Sequence, residues 1–395
     1  MPSEVDQALA TLCAGTEKVL SPSELESKLK EGRPLRAKLG LDPTSPDIHL
    51  GHTVVFEKLR QFQELGHQAV LIIGDFTAAI GDPSGRSATR PPLSREAIMA
   101  NAETYTTQAF KVLDEARTEV VFNGQWFRNM NFEKVLRLNS RVTMQQMLQR
   151  DDFRKRIDKG QEVRLHEVQY PIVQGWDSVE VRADIELGGT DQLFNLLVGR
   201  DLQKEEGMAQ QVVMTMPLLE GTDGVRKMSK SYDNYVGVSD LPGEMFGKLM
   251  SISDELMDRY YLLLLGGRRD EGLHPMEAKK QLAQQITTRF HSVAEGLAAR
   301  EDWETRFSKK DLASSDLPGL PTGNLSADMN VLQLTSYAYQ EGFGQKKSNG
   351  ELKKQLIATG AVQLNGEKMT DPNASVKPQP GDILRLSKKH SVRFS

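Results

Sequence analysis

A single cysteine, Cys13, in 395 residues rules out an internal disulfide framework and leaves too few thiolates for a structural zinc site. Long apolar runs are missing too. None approaches the roughly 18 to 20 residues that span a bilayer, and the opening Met1-Pro2-Ser3-Glu4-Val5-Asp6 is acidic where a signal or transit peptide is basic. The expected setting is the cytoplasm, with no membrane contact. Internal repeats and heptads are absent. Disorder is not the default either, because 38% hydrophobic residues together with 32 glycines match the apolar share of soluble globular chains.

The length suits two or three domains. Net charge is −4, but residues 331–395 carry ten Lys/Arg against five Asp/Glu, a surplus of +5 that leaves −9 for the first 330 residues. A basic terminal piece on an acidic body reads either as a nucleic-acid-binding module or as a solvated tail.

From residue 33 to about 220, short β-rich runs alternate with amphipathic segments. Leu35–Leu41, Gln68–Gly74, Glu119–Asn123, Ala183–Leu187 and Gln211–Leu219 read as strands, and the intervening patterns as crossover helices of a parallel α/β sheet. Such sheets bind ligands at the carboxyl ends of their strands. Asp240 to Phe307 has apolar spacings of three and four and reads as a small helical domain. Ser314-Ser315-Asp316-Leu317-Pro318-Gly319-Leu320-Pro321 reads as linker. The basic piece after it holds a short helix, Glu351–Thr359, and strands near Val362–Leu364 and Ile383–Leu386. The expected division is 1–32 as an N-terminal helical segment, 33–222 as a Rossmann-like sheet domain with a helical insertion, 223–310 as a loop plus helical domain, 311–330 as linker, and 331–395 as a small α+β domain.

Two short motifs stand out. His49-Leu50-Gly51-His52 follows an apolar run and a turn and opens an apolar-periodic stretch, so it sits at a helix N-terminus. Unpaired backbone N–H groups and partial positive charge there suit anions, and two imidazoles in the first turn add N–H donors towards phosphate oxygens. Lys227-Met228-Ser229-Lys230-Ser231 adds positive charge on a segment, Glu220–Asn234, that reads as a loop able to close over a ligand. Together the pair describes a site for the phosphates of ATP. Either motif alone also fits a helix cap or a surface pair.

Gly40-Leu41-Asp42-Pro43-Thr44, Gly81-Asp82-Pro83-Ser84-Gly85, Tyr170 with Gln174 and Asp177, Gly188-Gly189-Thr190-Asp191-Gln192 and the two motifs run through the chain in one order. In this the sequence resembles, nearly end to end, the class I aminoacyl-tRNA synthetases, and among them the bacterial tyrosyl-tRNA synthetases. The resemblance implies ATP-dependent attachment of L-tyrosine to tRNA(Tyr) by a homodimer. Mg²⁺ would arrive bound to ATP, and no protein-held metal is expected. Activation of a carboxylate at the α-phosphate asks for positioning and preorganised donors rather than a nucleophile.

The resemblance assigns His49, His52, Lys227, Lys230 and Thr44 to the reacting phosphates, and Asp42, Gly51, Gly189, Asp191 and Ser231 to ATP. Asp82, Tyr170, Gln174 and Gln192 would hold the amino acid, and Asp177 would accept its phenolic O–H. Lys346, Lys347, Lys353, Lys354, Lys388 and Lys389 would track tRNA phosphates. Spacing alone leaves other readings open: a polar helix face for Tyr170, Gln174 and Asp177, with Pro171 marking a kink or boundary, and an ordinary helix start for the Gly-Gly-Thr-Asp turn. Arg137, Arg141, Arg150, Arg154 and Arg156 could contact tRNA, line a dimer interface or face water. Lys38 stands where many relatives have a tyrosine that contacts the substrate hydroxyl, and Leu39 where some have a small polar residue. The alternatives are a tryptophan-type synthetase and a non-catalytic RNA-binding paralogue.

Overall fold

The computed structural model describes residues 3–43, 48–82, 94–308, 317–325, 329–387 and 390–395. It divides into two compact units, Met1–Arg300 and Glu301–Ser395.

The first unit is built on a six-stranded sheet of β1 (Lys18–Leu20), β2 (Arg36–Leu41), β3 (Gln68–Ile73), β4 (Thr118–Phe122), β5 (Ile185–Gly189) and β6 (Val212–Met216), in the order β1-β6-β5-β2-β3-β4. β2 to β6 are mutually parallel, and only β1 runs antiparallel, on the β6 edge. β3 and β6 are buried almost throughout, as strands covered by helices on both faces must be. From the β4 edge, the parallel strands stand in chain order 3-2-1-4-5, so the winding reverses between β2 and β5. A cleft opens outside the strand carboxyl ends at such a switch point, and there the chain places Asp42, Thr190-Asp191-Gln192, Gly74-Asp75 and Asn123.

The crossover helices Leu165–Glu180 and Leu193–Glu205 cross at two glycines: a Cβ on Gly175 would lie 2.9 Å from the Gly199 backbone N. The Leu165–Glu180 helix is continuous through Pro171, so Tyr170 lies inside it and not at a boundary. The helical segment expected to stand alone (Pro242–Met250, Asp254–Leu265, Pro275–Phe290, Val293–Trp303) belongs up to Arg300 to the same compact unit as the sheet. Arg289 pairs there with the buried Glu57 of the Leu50–Glu64 helix at 2.8 Å, and Lys111 Nζ donates to the Phe290 carbonyl at 2.8 Å.

The second unit packs the helix Val331–Phe343 on a sheet of β7 (Gly319–Leu320), β8 (Gln363–Leu364), β9 (Glu367–Lys368), β10 (Ile383–Arg385) and β11 (Ser391–Phe394), ordered β7-β11-β10-β8-β9. β8 and β9 are joined by Asn365-Gly366 with φ of 49° and 89°, the doubly left-handed turn whose twist matches a hairpin. Leu334, Tyr339, Leu352, Val362, Val392 and Phe394 lie in its core. β7 pairs in parallel with β11, so part of the stretch read as linker is an edge strand of this unit. Among the described residues no helix is long and apolar enough to cross a membrane.

Candidate active site

The Leu50–Glu64 helix starts on the first motif. His49 is its N-cap, and its Nδ1 accepts the Gly51 backbone N–H at 3.1 Å. His52 Nδ1 accepts the His49 backbone N–H at 3.3 Å, and the ring centroids are 4.0 Å apart. A neutral imidazole whose Nδ1 accepts carries its proton on Nε2, so both rings are set as Nε2–H donors. Neutral they are: burial foremost, with the positive Lys230 contributing, pushes His49 down to about 3 and His52 to about 4. His52 keeps an exposed edge, while the protein atoms around its ring displace water from it. Gly51 is required here, since a Cβ would lie 2.9 Å from His49 Cε1.

The segment just after the second motif is tied to the first through backbone. His49 forms an antiparallel bridge with Gly237, Leu50 N–H donates to Val236 O at 2.9 Å, and Val238 N–H donates to Ile48 O at 3.1 Å. Met228 is buried, its Cβ 3.5 Å from where a Cβ on Gly51 would stand, while Lys227 and Ser231 are exposed. Lys230 Nζ and the His49 ring flank one tyrosine, at 5.9 Å and 6.4 Å from the Tyr235 ring centroid. Buried Asn234 organises the loop. Its Oδ1 accepts the Ser229 N–H at 2.8 Å, and its Nδ2 faces the Asp223 carboxylate and the Arg226 and Lys227 carbonyls.

Beside these motifs lies a polar pocket. Tyr170, Gln174 and Asp177 share one face of their helix and all three are buried, which removes the exposed polar face as a reading. Tyr170 Oη donates to Asp42 Oδ2 at 2.8 Å, and Thr77 Oγ1 donates to Asp42 Oδ1 at 2.7 Å. Burial and the neighbouring Asp42, Asp82 and Asp177 hold the Tyr170 phenol far above its ordinary range, so it remains a donor. Gln192 Nε2 donates to Asp82 Oδ2 at 2.9 Å, and Asn195 Nδ2 donates to both Gln174 Oε1 and Gln192 Oε1 at 2.9 Å. Buried Arg150 donates to Asn195 Oδ1 at 3.2 Å and lies 3.9 Å from Asp82. An enclosure lined by carboxylates and carbonyl oxygens suits a cationic head group.

Asp177 forms the inner wall. Its Oδ1 accepts from Trp126 Nε1 at 3.1 Å and its Oδ2 from Asn123 Nδ2 at 3.2 Å. Burial drives this carboxyl up to about 7, against the pull of Lys38 and of those two donors. Asn123 also donates to Thr77 Oγ1 at 3.1 Å, and Asp75 anchors the next turn through the Gly124 N–H at 2.7 Å and Arg128 at 2.6 Å.

The cleft thus brings together His49, His52, Gly51, Lys230, Asp42, Asp82, Tyr170, Gln174, Asp177 and Gln192. Asp191 is exposed on the short turn after β5, where a Cβ on Gly189 would meet its Oδ1 at 2.5 Å. Thr44 and Pro83-Ser84-Gly85 lie outside the described residues, as do Lys388 and Lys389. In the second unit Lys346, Lys353 and Lys354 are exposed, whereas Lys347 pairs with Glu351 and lies 5.3 Å from the Tyr339 ring centroid. Of the arginines, Arg137 is exposed beside Glu133, Arg141 pairs with Glu206, Arg154 is exposed and Arg156 pairs with Glu167. Sequence reasoning missed Thr77, Asn123, Trp126, Arg150 as a buried group, Asn195 and Asn234. Only Asn123 carried a signal, its place at the carboxyl end of β4.

The family tRNA synthetases class I (W and Y) matches residues 30–308. Relatives of similar length run end to end with the chain. Tyrosine–tRNA ligase of Aquifex aeolicus is 47% identical over 394 residues, covering 98% of both chains. Tyrosine–tRNA ligase of Oleidesulfovibrio alaskensis is 48% identical over 403 residues, covering 99% of each. Among solved structures, tyrosyl-tRNA synthetase of Archaeoglobus fulgidus complexed with L-tyrosine superposes with a TM-score of 0.60 at 22% identity, covering 74% of this chain and all of that one. A C-terminally truncated mitochondrial tyrosyl-tRNA synthetase of Aspergillus nidulans gives a TM-score of 0.63 at 20% identity, over 78% of this chain and 95% of that one. At these identities the two structures speak for the fold alone. With the family matched over most of its length and full-length relatives near half identity, the chain belongs to the class I tRNA synthetases of the tryptophan and tyrosine type.

Proposed function

We propose that the protein attaches L-tyrosine to tRNA(Tyr) in two steps through an enzyme-bound tyrosyl-adenylate, releasing pyrophosphate and then AMP. The observation that carries this reading is the backbone union of the first motif with the segment that leaves the second, at the switch point of the sheet, with Met228 packed on Gly51 and the buried residues Tyr170, Gln174 and Asp177 on one helix face. The full-length relatives support tyrosine over tryptophan, being tyrosine–tRNA ligases by name.

The α-ammonium of tyrosine is held by Tyr170, Gln174 and Asp82, with Gln192 on the same side, and its phenol donates to Asp177. The carboxylate then faces ATP, which enters with Mg²⁺ as a substrate complex. His49 and His52 supply Nε2–H donors to the phosphates, and Lys227 and Lys230 bring charge as their loop closes, with Thr44 and Ser231 as further donors. Asp42, Gly51, Gly189 and Asp191 border the nucleotide, and Asp191 accepts from a ribose hydroxyl. A preorganised donor aimed at developing charge is worth about 3–4 kcal/mol, so four such groups account for much of an activation step that uses no covalent catalyst. In the second unit Lys346, Lys347, Lys353, Lys354, Lys388 and Lys389 follow tRNA phosphates. Phe132 and Leu136, one turn apart and 75% and 53% exposed, offer the apolar face on which a second copy docks. The enzyme works in the cytoplasm.

Tyrosine-dependent ATP–pyrophosphate exchange, run beside tryptophan and phenylalanine, tests the reading. Exchange with tyrosine alone is expected, and exchange driven by tryptophan or by no amino acid overturns it.

A further inference from the structure

Lys38 is wholly buried, and the sheet explains its surroundings. In the parallel register its Cα partner on β5 is Glu186, so the two side chains leave the same face of the sheet, towards the Leu165–Glu180 helix. All three ammonium hydrogens find acceptors: Glu186 Oε1 at 2.7 Å, Ser178 Oγ at 2.7 Å and the Gln174 carbonyl at 3.3 Å. Ser178 Oγ donates in turn to Glu186 Oε2 at 3.0 Å, and Gln211 Nε2 donates to the same oxygen.

A fully desolvated ion pair is poor evidence of stabilisation, since an apolar pair of equal volume is often as stable or more so. Its placement points to a different use. Gln174 and Ser178 lie on the helix that carries the amino-acid pocket, and Ser178 follows Asp177 directly. We propose that Lys38 is a positioning residue of the pocket, clamping the helix of Tyr170, Gln174 and Asp177 onto β2 and β5 and, through its charge, keeping Asp177 in the ionised form to which a phenol can donate.

The groups around Asp177 can be named element by element. Asn123 and Trp126, after β4, donate to it. Lys38 on β2 and Glu186 on β5 form the charged pair behind it, and Tyr170, bonded to Asp42 and near Asp82, is the titratable neighbour on its own helix. Lys38 is the foremost influence opposing the burial of Asp177, whereas Glu186 works the other way. The two members of one ion pair therefore act on Asp177 with opposite signs, so removing each in turn gives shifts of opposite direction.

The inference rests on the reading of Asp177 as the phenol acceptor, and it is tested by the pH dependence of kcat/KM for tyrosine in exchange at saturating ATP, for wild type, Lys38→Met and Glu186→Gln. Glu186→Gln preserves side-chain length, Lys38→Met shortens it by one atom, and circular dichroism checks folding. Lys38→Met moves the acid limb up by about one pH unit, an opposite charge nearby being worth about that much or more. With Asp177 starting at about 7, this is about a fivefold loss at pH 7. Glu186→Gln moves the limb down. If Lys38→Met does not fold, the sign of the Glu186→Gln shift decides alone. Limbs that move the same way, or stay while activity falls, overturn the proposal. A wild type that prefers tryptophan overturns the reading of Asp177 instead, so the two failures are distinguishable.

Discussion

Gly74 follows β3 directly and has ordinary backbone geometry, being absent from the residues of positive φ. An alanine there is therefore resisted by contact alone. Its Cβ would lie 1.9 Å from Asp42 Oδ1 and 2.3 Å from Thr77 Oγ1. Both are ends of side chains, so the fold survives by moving them. The carboxylate has to retreat until the contact exceeds about 3 Å, and it cannot keep accepting from Thr77 at 2.7 Å and from Tyr170 at 2.8 Å. A hydrogen bond to a charged group is worth about 1.5–3 kcal/mol, and about 1.4 kcal/mol is tenfold in rate. Losing the Tyr170 bond alone thus lowers kcat/KM for tyrosine roughly tenfold to a hundredfold in Gly74→Ala, with a smaller effect on KM for ATP. Thr77→Val, which spares the Tyr170 bond, falls between this variant and wild type. Pyrophosphate exchange over a tyrosine series gives the constants, and a thermal melt shows that folding is retained. A Gly74→Ala enzyme within twofold of wild type in kcat/KM for tyrosine refutes the reasoning, because the Asp42 carboxylate would then be free to move without consequence.

The other expectations are brief. In the free protein at pH 6 both histidines of the first motif carry a proton on Nε2 and none on Nδ1, because both titrate well below the usual 6.5; an imidazolium signal from either in ¹⁵N NMR contradicts the site as described. The sign for stability follows. The unfolded chain binds these protons first, so stability falls as pH drops from about 6.5 towards 4, and a His49→Gln/His52→Gln variant shows a flatter melting profile over that window. Deleting residues 309–395 spares exchange and cripples tRNA charging; equal loss of both contradicts modularity. Phe132→Glu halves the mass measured by light scattering, and an unchanged mass removes that face as the dimer contact.

The long apolar strands were legible because Leu35–Leu41 and Gln68–Gly74 carry enough residues to show a pattern, whereas β1, three residues of Lys-Val-Leu, is too short to show one. The site was legible where its residues are close in sequence. Tyr170, Gln174 and Asp177 share a helix face by spacing alone, and the histidine motif announces its own cap. What stayed hidden depends on register. Lys38 meets Glu186 across 148 residues only because β2 lies beside β5, and the tyrosine expected at its place gave no hint of a lysine that turns into the core. Trp126 and Asn195 reach the pocket through their own turns, and no periodicity in the chain marks them. Gly319–Leu320 looked like linker because a two-residue edge strand among prolines has no signature of its own.

Charge is distributed in this cleft so that like charges are not crowded together. A permanently protonated histidine at the start of the Leu50–Glu64 helix would repel Lys230, whose positive charge already lowers both rings. In the proposed reading, neutral rings donate to phosphate without adding to that repulsion. The fixed cations instead stand on a turn held by Asn234, with Lys227 exposed to water, where a lysine is solvated at little cost until a polyphosphate arrives. Hydrogen-bond donors whose pKa values lie far below neutrality can be built into the floor of the site, while charge that must appear only with ATP is better carried on a segment able to approach. Asp177, a carboxyl raised to the working range at about 7, is also buried, where a hydroxyl and its absence differ most in free energy. On the proposed reading, selectivity for the phenol therefore comes from burial, and the Lys38–Glu186 pair behind the helix limits how far that burial can protonate the acceptor it depends on.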